Sequence, residues 1–123
     1  MSTIKTETLS TPSNATVPVD TVVNGTAKAW VNFNGQNTVA IRRAFNVSSI
    51  TDIAVGQYVV NFTTAMVNAN YAITASAKHV ANTGWDLTVT VGYPANSTNA
   101  VGVVSANNGA TTDADFICVT VFS

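Results

Sequence analysis

Few residues of this chain can do acid–base, nucleophilic or metal chemistry: one histidine, one cysteine, and six Asp and Glu together. The lone His79 excludes a multi-histidine metal centre and leaves a Ser/His/Asp arrangement only one possible base. No Gly-x-Ser-x-Gly elbow is present to present a nucleophile to it. Paired carboxylates for glycoside hydrolysis would have to come from Asp86, Asp113 and Asp115. Asp113 and Asp115 stand two apart before an apolar run, where carboxylates commonly blunt a sheet edge. Asp113-Ala114-Asp115 also lacks the central Gly and terminal Glu of a calcium loop. Cys118 has no partner for an intramolecular disulfide, and within Phe116-Ile117-Cys118-Val119 it reads as a small buried hydrophobe. The expectation is a protein with no catalytic residues, no metal and no cofactor.

Two aromatic residues beside turns suggest a different chemistry. Trp85 follows Thr83-Gly84 and precedes Asp86, and Tyr93 lies between Gly92 and Pro94. An exposed ring next to Asp can stack on a sugar face while the carboxylate binds hydroxyls. Trp85, Asp86 and Tyr93 are therefore the candidate glycan-binding residues, set against the alternative that Trp85 is a core residue starting its strand.

The elements that must position these residues are strands. Charged residues are only 9% of the chain, and its polar part is uncharged, with 19 Thr, 14 Asn and 9 Ser beside 19 Val. That mixture suits pleated strands and tight turns and suits helices badly. From Ala27 onward apolar residues alternate with polar ones: Ala27, Ala29, Val31 and Phe33 against Lys28, Trp30 and Asn32. Asn34-Gly35 supplies a hairpin turn. Val39–Phe45 follows, read with Ile41, Arg43 and Phe45 on one face. Further strands are expected over Asn46–Asp52, Tyr58–Phe62, Tyr71–Ala77, Trp85–Val91, Ala100–Val104 and Phe116–Phe122. Turn signals fall between them at Gly56, Gly84, Pro94, Asn96 and Asn108-Gly109. About eight strands with such regular turns indicate an all-β, antiparallel β-sandwich, jelly-roll-like or small-barrel fold. Trp30 or Trp85, with Phe33, Phe45, Phe62, Tyr71 and Phe116, is expected to supply core bulk. At most one short helical turn is expected, near Thr64–Asn68.

Residues 1–25 differ from the rest. They carry Pro12 and Pro18, no aromatic residue, and short Val and Thr steps. Thr16–Val23 has extended-strand propensity, with Pro18 tolerated at an edge or strand start. The reading is an extended N-terminal arm over 1–25, for anchoring or oligomerisation, and a β-sandwich domain over 26–123. Ile4, Leu9, Val17, Val19 and Val22 are the arm's candidate contact residues.

A net charge of −1 removes an electrostatic case for nucleic-acid binding. No apolar stretch reaches the ~18 residues of a membrane span. Met1-Ser2-Thr3-Ile4-Lys5 lacks the apolar core of a secretion signal, so synthesis in a cytoplasm is expected. So low a charge gives little colloidal protection, which fits a chain meant to associate.

The run Val22-Val23-Asn24-Gly25-Thr26-Ala27-Lys28-Ala29-Trp30-Val31-Asn32-Phe33-Asn34-Gly35 resembles a stretch in short virion proteins and fibre domains of tailed bacteriophages, many of them marine or cyanobacterial phages. The likeness continues through Val39–Arg42, Phe45–Asp52, Gly56–Met66 and Asn70-Tyr71, and the opening Ser2–Leu9 is also similar. It departs at Arg43, where relatives often carry a small residue, and at Ile53-Ala54-Val55, which replaces a more polar turn. The resemblance implies a β-rich virion structural protein, made in the host cytoplasm: a capsid decoration, head-fibre or tail-fibre component. It also implies a homotrimer contacting other virion structural proteins, without catalytic residues. A carbohydrate-binding module recognising a host surface glycan is the alternative, and the two are compatible.

Overall fold

The computed structural model describes residues 2–79 and 88–123. The chain is nearly all β. It opens with a hairpin of β1 (Thr8–Ser10) and β2 (Thr16–Pro18), followed by a short helix α1 (Val19–Gly25). Two antiparallel sheets follow. One has four strands in the order β4 (Ala40–Phe45), β3 (Ala29–Asn34), β11 (Phe116–Phe122), β7 (Ala72–Lys78). The other is built from β5 (Val47–Ala54), β6 (Gln57–Phe62), β8 (Thr88–Asn96), β9 (Ala100–Asn107) and β10 (Ala110–Thr111). In it β9 lies between β6 and β8, and β5 forms the edge beyond β6.

The period-two pattern decides the core. In the four-stranded sheet, Ala29, Val31 and Phe33 of β3 and Ile117, Val119 and Val121 of β11 are buried, with their alternate neighbours facing out. Tyr58, Val60 and Phe62 of β6 and Val101 and Val103 of β9 come from the facing sheet. The rings of Phe33 and Tyr58 meet edge to face across the sandwich, their centroids 5.3 Å apart. Phe62 and Tyr71 form a second such pair at 5.8 Å. Geometries of this kind add about 0.5–1.5 kcal/mol each beyond area burial.

Three expectations need correction. First, the arm is not extended along its length. Pro18, with φ −60° and ψ 139°, stops β2, and the chain turns directly into α1 with Asp20 in its first turn. A carboxylate there complements the helix dipole. No helix forms at Thr64–Asn68.

Second, β4 does not keep one parity. Its register on β3 shifts between Asn32 and Phe33, so that Ile41 opposes buried Phe33 while Arg43 opposes Asn32 and Phe45 opposes Trp30. The bulge separates Ile41 from Arg43 and Phe45, which turn to the outer face. Third, only part of the expected aromatic bulk is core. Phe33, Phe62 and Tyr71 are buried, but Trp30 is half-buried, and Phe45 and Phe116 are exposed. Phe45 is turned outward by the bulge, and Phe116 by its alternation with Ile117. Trp85 lies outside the described residues.

Candidate functional site

Of the candidate carboxylates, Asp113 is engaged in structure. Asp113 Oδ1 accepts the backbone N–H of Gly56 at 2.7 Å and lies 3.0 Å from the Tyr58 hydroxyl. The same hydroxyl donates to the Gly35 carbonyl at 2.8 Å. Burial, and next the hydrogen bond and charge of Asp113, push the Tyr58 phenol above its ordinary value. It stays a protonated donor that ties the β3–β4 turn to the 113 loop. Ser105, wholly buried, donates to the Thr112 carbonyl at 2.5 Å and completes that anchorage. His79 Nε2 lies 2.5 Å from the Gln36 side-chain nitrogen. Asp115 gives its backbone carbonyl to Arg42 at 2.5 Å. Among the described residues no group of three His, Cys, Asp or Glu side chains converges as metal ligands do.

Of the candidate glycan residues, Trp85 and Asp86 lie outside the described residues. Tyr93 sits in the stretch of β8 where pairing with β9 is interrupted between Val91 and Asn96. Gly92, at φ +85°, turns the chain there, and the Tyr93-Pro94 peptide bond is cis. The backbone of this stretch crosses directly over Gly102, where any Cβ would overlap the carbonyl of Tyr93 and the nitrogen of Pro94. Tyr93 is 61% exposed.

The outer face of the four-stranded sheet carries a cluster that strand propensity did not single out. Arg42 lies over the Phe116 ring, 5.1 Å from its centroid, and also donates to Asn32 Oδ1 at 3.3 Å. Cys118, half-buried nearby, has its thiol pushed up by burial, with Arg42 acting the other way.

The arm residues have distinct environments. Ile4 is 90% exposed, Leu9 and Val22 are exposed, and Val17 and Val19 are half-buried. Leu9 pairs with Val17 across the hairpin. The Val19 N–H donates to the Glu7 carbonyl at 2.8 Å, joining hairpin and helix. The hairpin and α1 pack on one another and not extensively on any sandwich strand.

Between α1 and the end of the sandwich runs a crevice of about 900 Å³. Val23 and Asn24 form its arm side; Phe45, Asn46 and the 63–68 segment form its body side. The floor is shaped by Asn46, a one-residue corner (φ 54°) where the chain passes from β4 in one sheet to β5 in the other. Its side chain donates to the carbonyls of Lys28 and Thr64 at 3.0 and 3.1 Å, and accepts the Thr64 N–H at 2.7 Å. Phe45 ends a strand whose parity the bulge changes, and Val67 lies in a segment with no strand signal, which is why periodicity did not reveal the crevice.

Compared with known proteins, the chain has no significant match to a family model, a curated protein or a solved structure.

Proposed function

We propose that this chain is a non-enzymatic structural component of a tailed-phage virion, a capsid decoration, head-fibre or tail-fibre protein. It attaches through its N-terminal arm, exposes its sandwich and assembles as a homotrimer. The observation that carries this reading is the arm: a preformed hairpin and helix standing off the sandwich with Ile4 and Leu9 uncovered. An element that buries so little on its own body has its apolar surface available to a neighbour. The virion-protein resemblance over Ile4–Tyr71 and the low charge support the same reading. Deleting residues 1–25 should leave a folded sandwich that no longer binds particles. Particle binding by the truncated chain would overturn the anchoring role.

A second reading, binding of a host surface glycan, is favoured by one observation. The Tyr93 ring is presented outward on a backbone held against Gly102. A glycan array on the purified chain, with Tyr93→Ala and Trp85→Ala beside it, tests that reading. Absence of any sugar-dependent signal, or equal binding by both variants, removes it.

A further inference from the structure

We infer that the crevice at the root of the arm receives the β1–β2 hairpin of a second copy of this chain, an inference that rests on the arm being an attachment element. Three observations carry it.

The first is the match of two uncovered apolar surfaces. Val67 is 91% exposed and Phe45 55% exposed at the crevice, with buried Met66 beneath them. The hairpin presents Leu9 beside Val17, residues directly opposite across its two strands and therefore on one face.

The second is why a chain's own hairpin does not serve. Hydrogen bonding of the Val19 N–H to the Glu7 carbonyl holds the hairpin at the far end of α1. The crevice is lined from Val23 onward and by no residue of the hairpin. The hairpin of another copy arrives already folded, so little conformational entropy is lost in docking it.

The third is charge. Among the described residues lining the crevice, Lys28 carries the one charged side chain, its ammonium donating to the Val23 carbonyl. Glu7 is the one charged residue within 7–18, and it directly precedes β1, two residues from Leu9. A hairpin seated with Leu9 against Val67 and Phe45 brings a carboxylate toward the Lys28 ammonium. A chain with a net charge of −1 raises little barrier to meeting its own copy. Each copy gives a hairpin and offers a crevice. Head-to-tail repetition gives a ring where the rotation between copies closes and an open filament where it does not, and reciprocal exchange gives a two-fold dimer.

The experiment uses the full chain with Cys118→Ser as background. Leu9→Cys chains are mixed with Val67→Cys chains, oxidised and resolved without reductant; Leu9→Cys mixed with Thr51→Cys is the control. Native mass spectrometry is run on the unmodified chain and on Val67→Asp and Leu9→Asp. Circular dichroism confirms that each variant is folded, as expected for exposed positions. The expected result is a two-chain cross-link in the first mixture and not in the control, and an oligomer that falls to single chains of 12.8 kDa in both Asp variants. A single-chain mass for the unmodified protein at high concentration overturns the inference, as does an oligomer that survives both substitutions. Equal cross-linking in the first mixture and in the control also overturns it. Particle binding by a chain that is monomeric overturns hairpin exchange while leaving the anchoring role standing.

Discussion

The Tyr58 hydroxyl sits between the Gly35 carbonyl, 2.8 Å away, and Asp113 Oδ1, 3.0 Å away. One buried phenol thus joins the turn after β3, the start of β6 and the loop before β11. These segments are far apart in sequence; the Gly35 N–H donates to the Ala114 carbonyl at 2.8 Å, and Tyr58 ties the second sheet to that junction.

Stability should therefore fall in alkali through this residue. Burial raises the folded-state pKa of Tyr58, so the unfolded chain loses its proton first. The stabilisation is fully present below the ordinary tyrosine value of about 10 and is lost progressively above it, at about 1.4 kcal/mol per pH unit for one proton. Urea titrations across that range should show this slope, with burial of Tyr71 adding to it. In Tyr58→Phe the slope should drop by one proton. An unchanged slope would show that Tyr58 ionises equally in both states.

Space around the same hydroxyl makes Gly35 irreplaceable. A Cβ at Gly35 would lie 2.6 Å from Tyr58 Cζ and 2.8 Å from the Ala114 carbonyl oxygen. Gly35→Ala should cost about 1–3 kcal/mol, the usual range for overpacking a rigid site. Gly25 has no atom within 4 Å of its Cβ position, so Gly25→Ala should stay within about 0.5 kcal/mol of the parent. Chemical denaturation of the two variants side by side gives the comparison, and similar losses would argue against the steric account.

Asn46 does two jobs at the inter-sheet corner, and two substitutions separate them. Asn46→Gly keeps the positive φ and loses three side-chain hydrogen bonds; Asn46→Ala loses both. Each bond is worth about 0.5–1.5 kcal/mol net. The left-handed backbone adds roughly 1 kcal/mol for a residue with a Cβ. The Ala variant should be the less stable by about that last amount. Thermal unfolding gives the order, and a Gly variant below the Ala one would contradict it.

Cys118 should react slowly. Burial raises its pKa, so less thiolate is present at mildly alkaline pH than in an exposed cysteine. Arg42 opposes that shift, so Arg42→Gln should slow disulfide-exchange labelling further, provided access is unchanged. A faster reaction in Arg42→Gln would mean that the Arg42 side chain covers the thiol more than its charge activates it. Removing the contact with the exposed Phe116 ring should itself cost no more than about 0.5–1 kcal/mol.

Much of the sandwich was legible because its strands obey a two-residue period. Ala29-Val31-Phe33 and Ile117-Val119-Val121 name their buried face without reference to any partner. Asn108-Gly109 marks a turn by its positive φ angles (50° and 81°), whereas the turn after β3 takes its positive φ at Asn37 (55°) and not at the expected Asn34-Gly35. The β4 bulge was not legible, since Ile41, Arg43 and Phe45 satisfy a regular alternation that only the pairing with Asn32 and Phe33 breaks. The helix in the arm was not legible either, because Val19, Val22 and Val23 have β-branched side chains that favour strands. The candidate surfaces fared unevenly. Composition singled out residues 1–25 and turn neighbours singled out Tyr93, but the crevice joins residues from four stretches of chain that no spacing rule connects.

What the sequence alone determined is the class of the fold and the inward face of its best strands, because both follow from local alternation and from a Thr-, Val- and Asn-rich composition. Tertiary structure decided which strands became neighbours, where β4 slips, that Asp113 serves Tyr58 and Gly56, and that Phe45 and Val67 share a crevice with the arm's root. These depend on contacts between residues distant in the chain, whose energies exist only once two sheets have closed on one another.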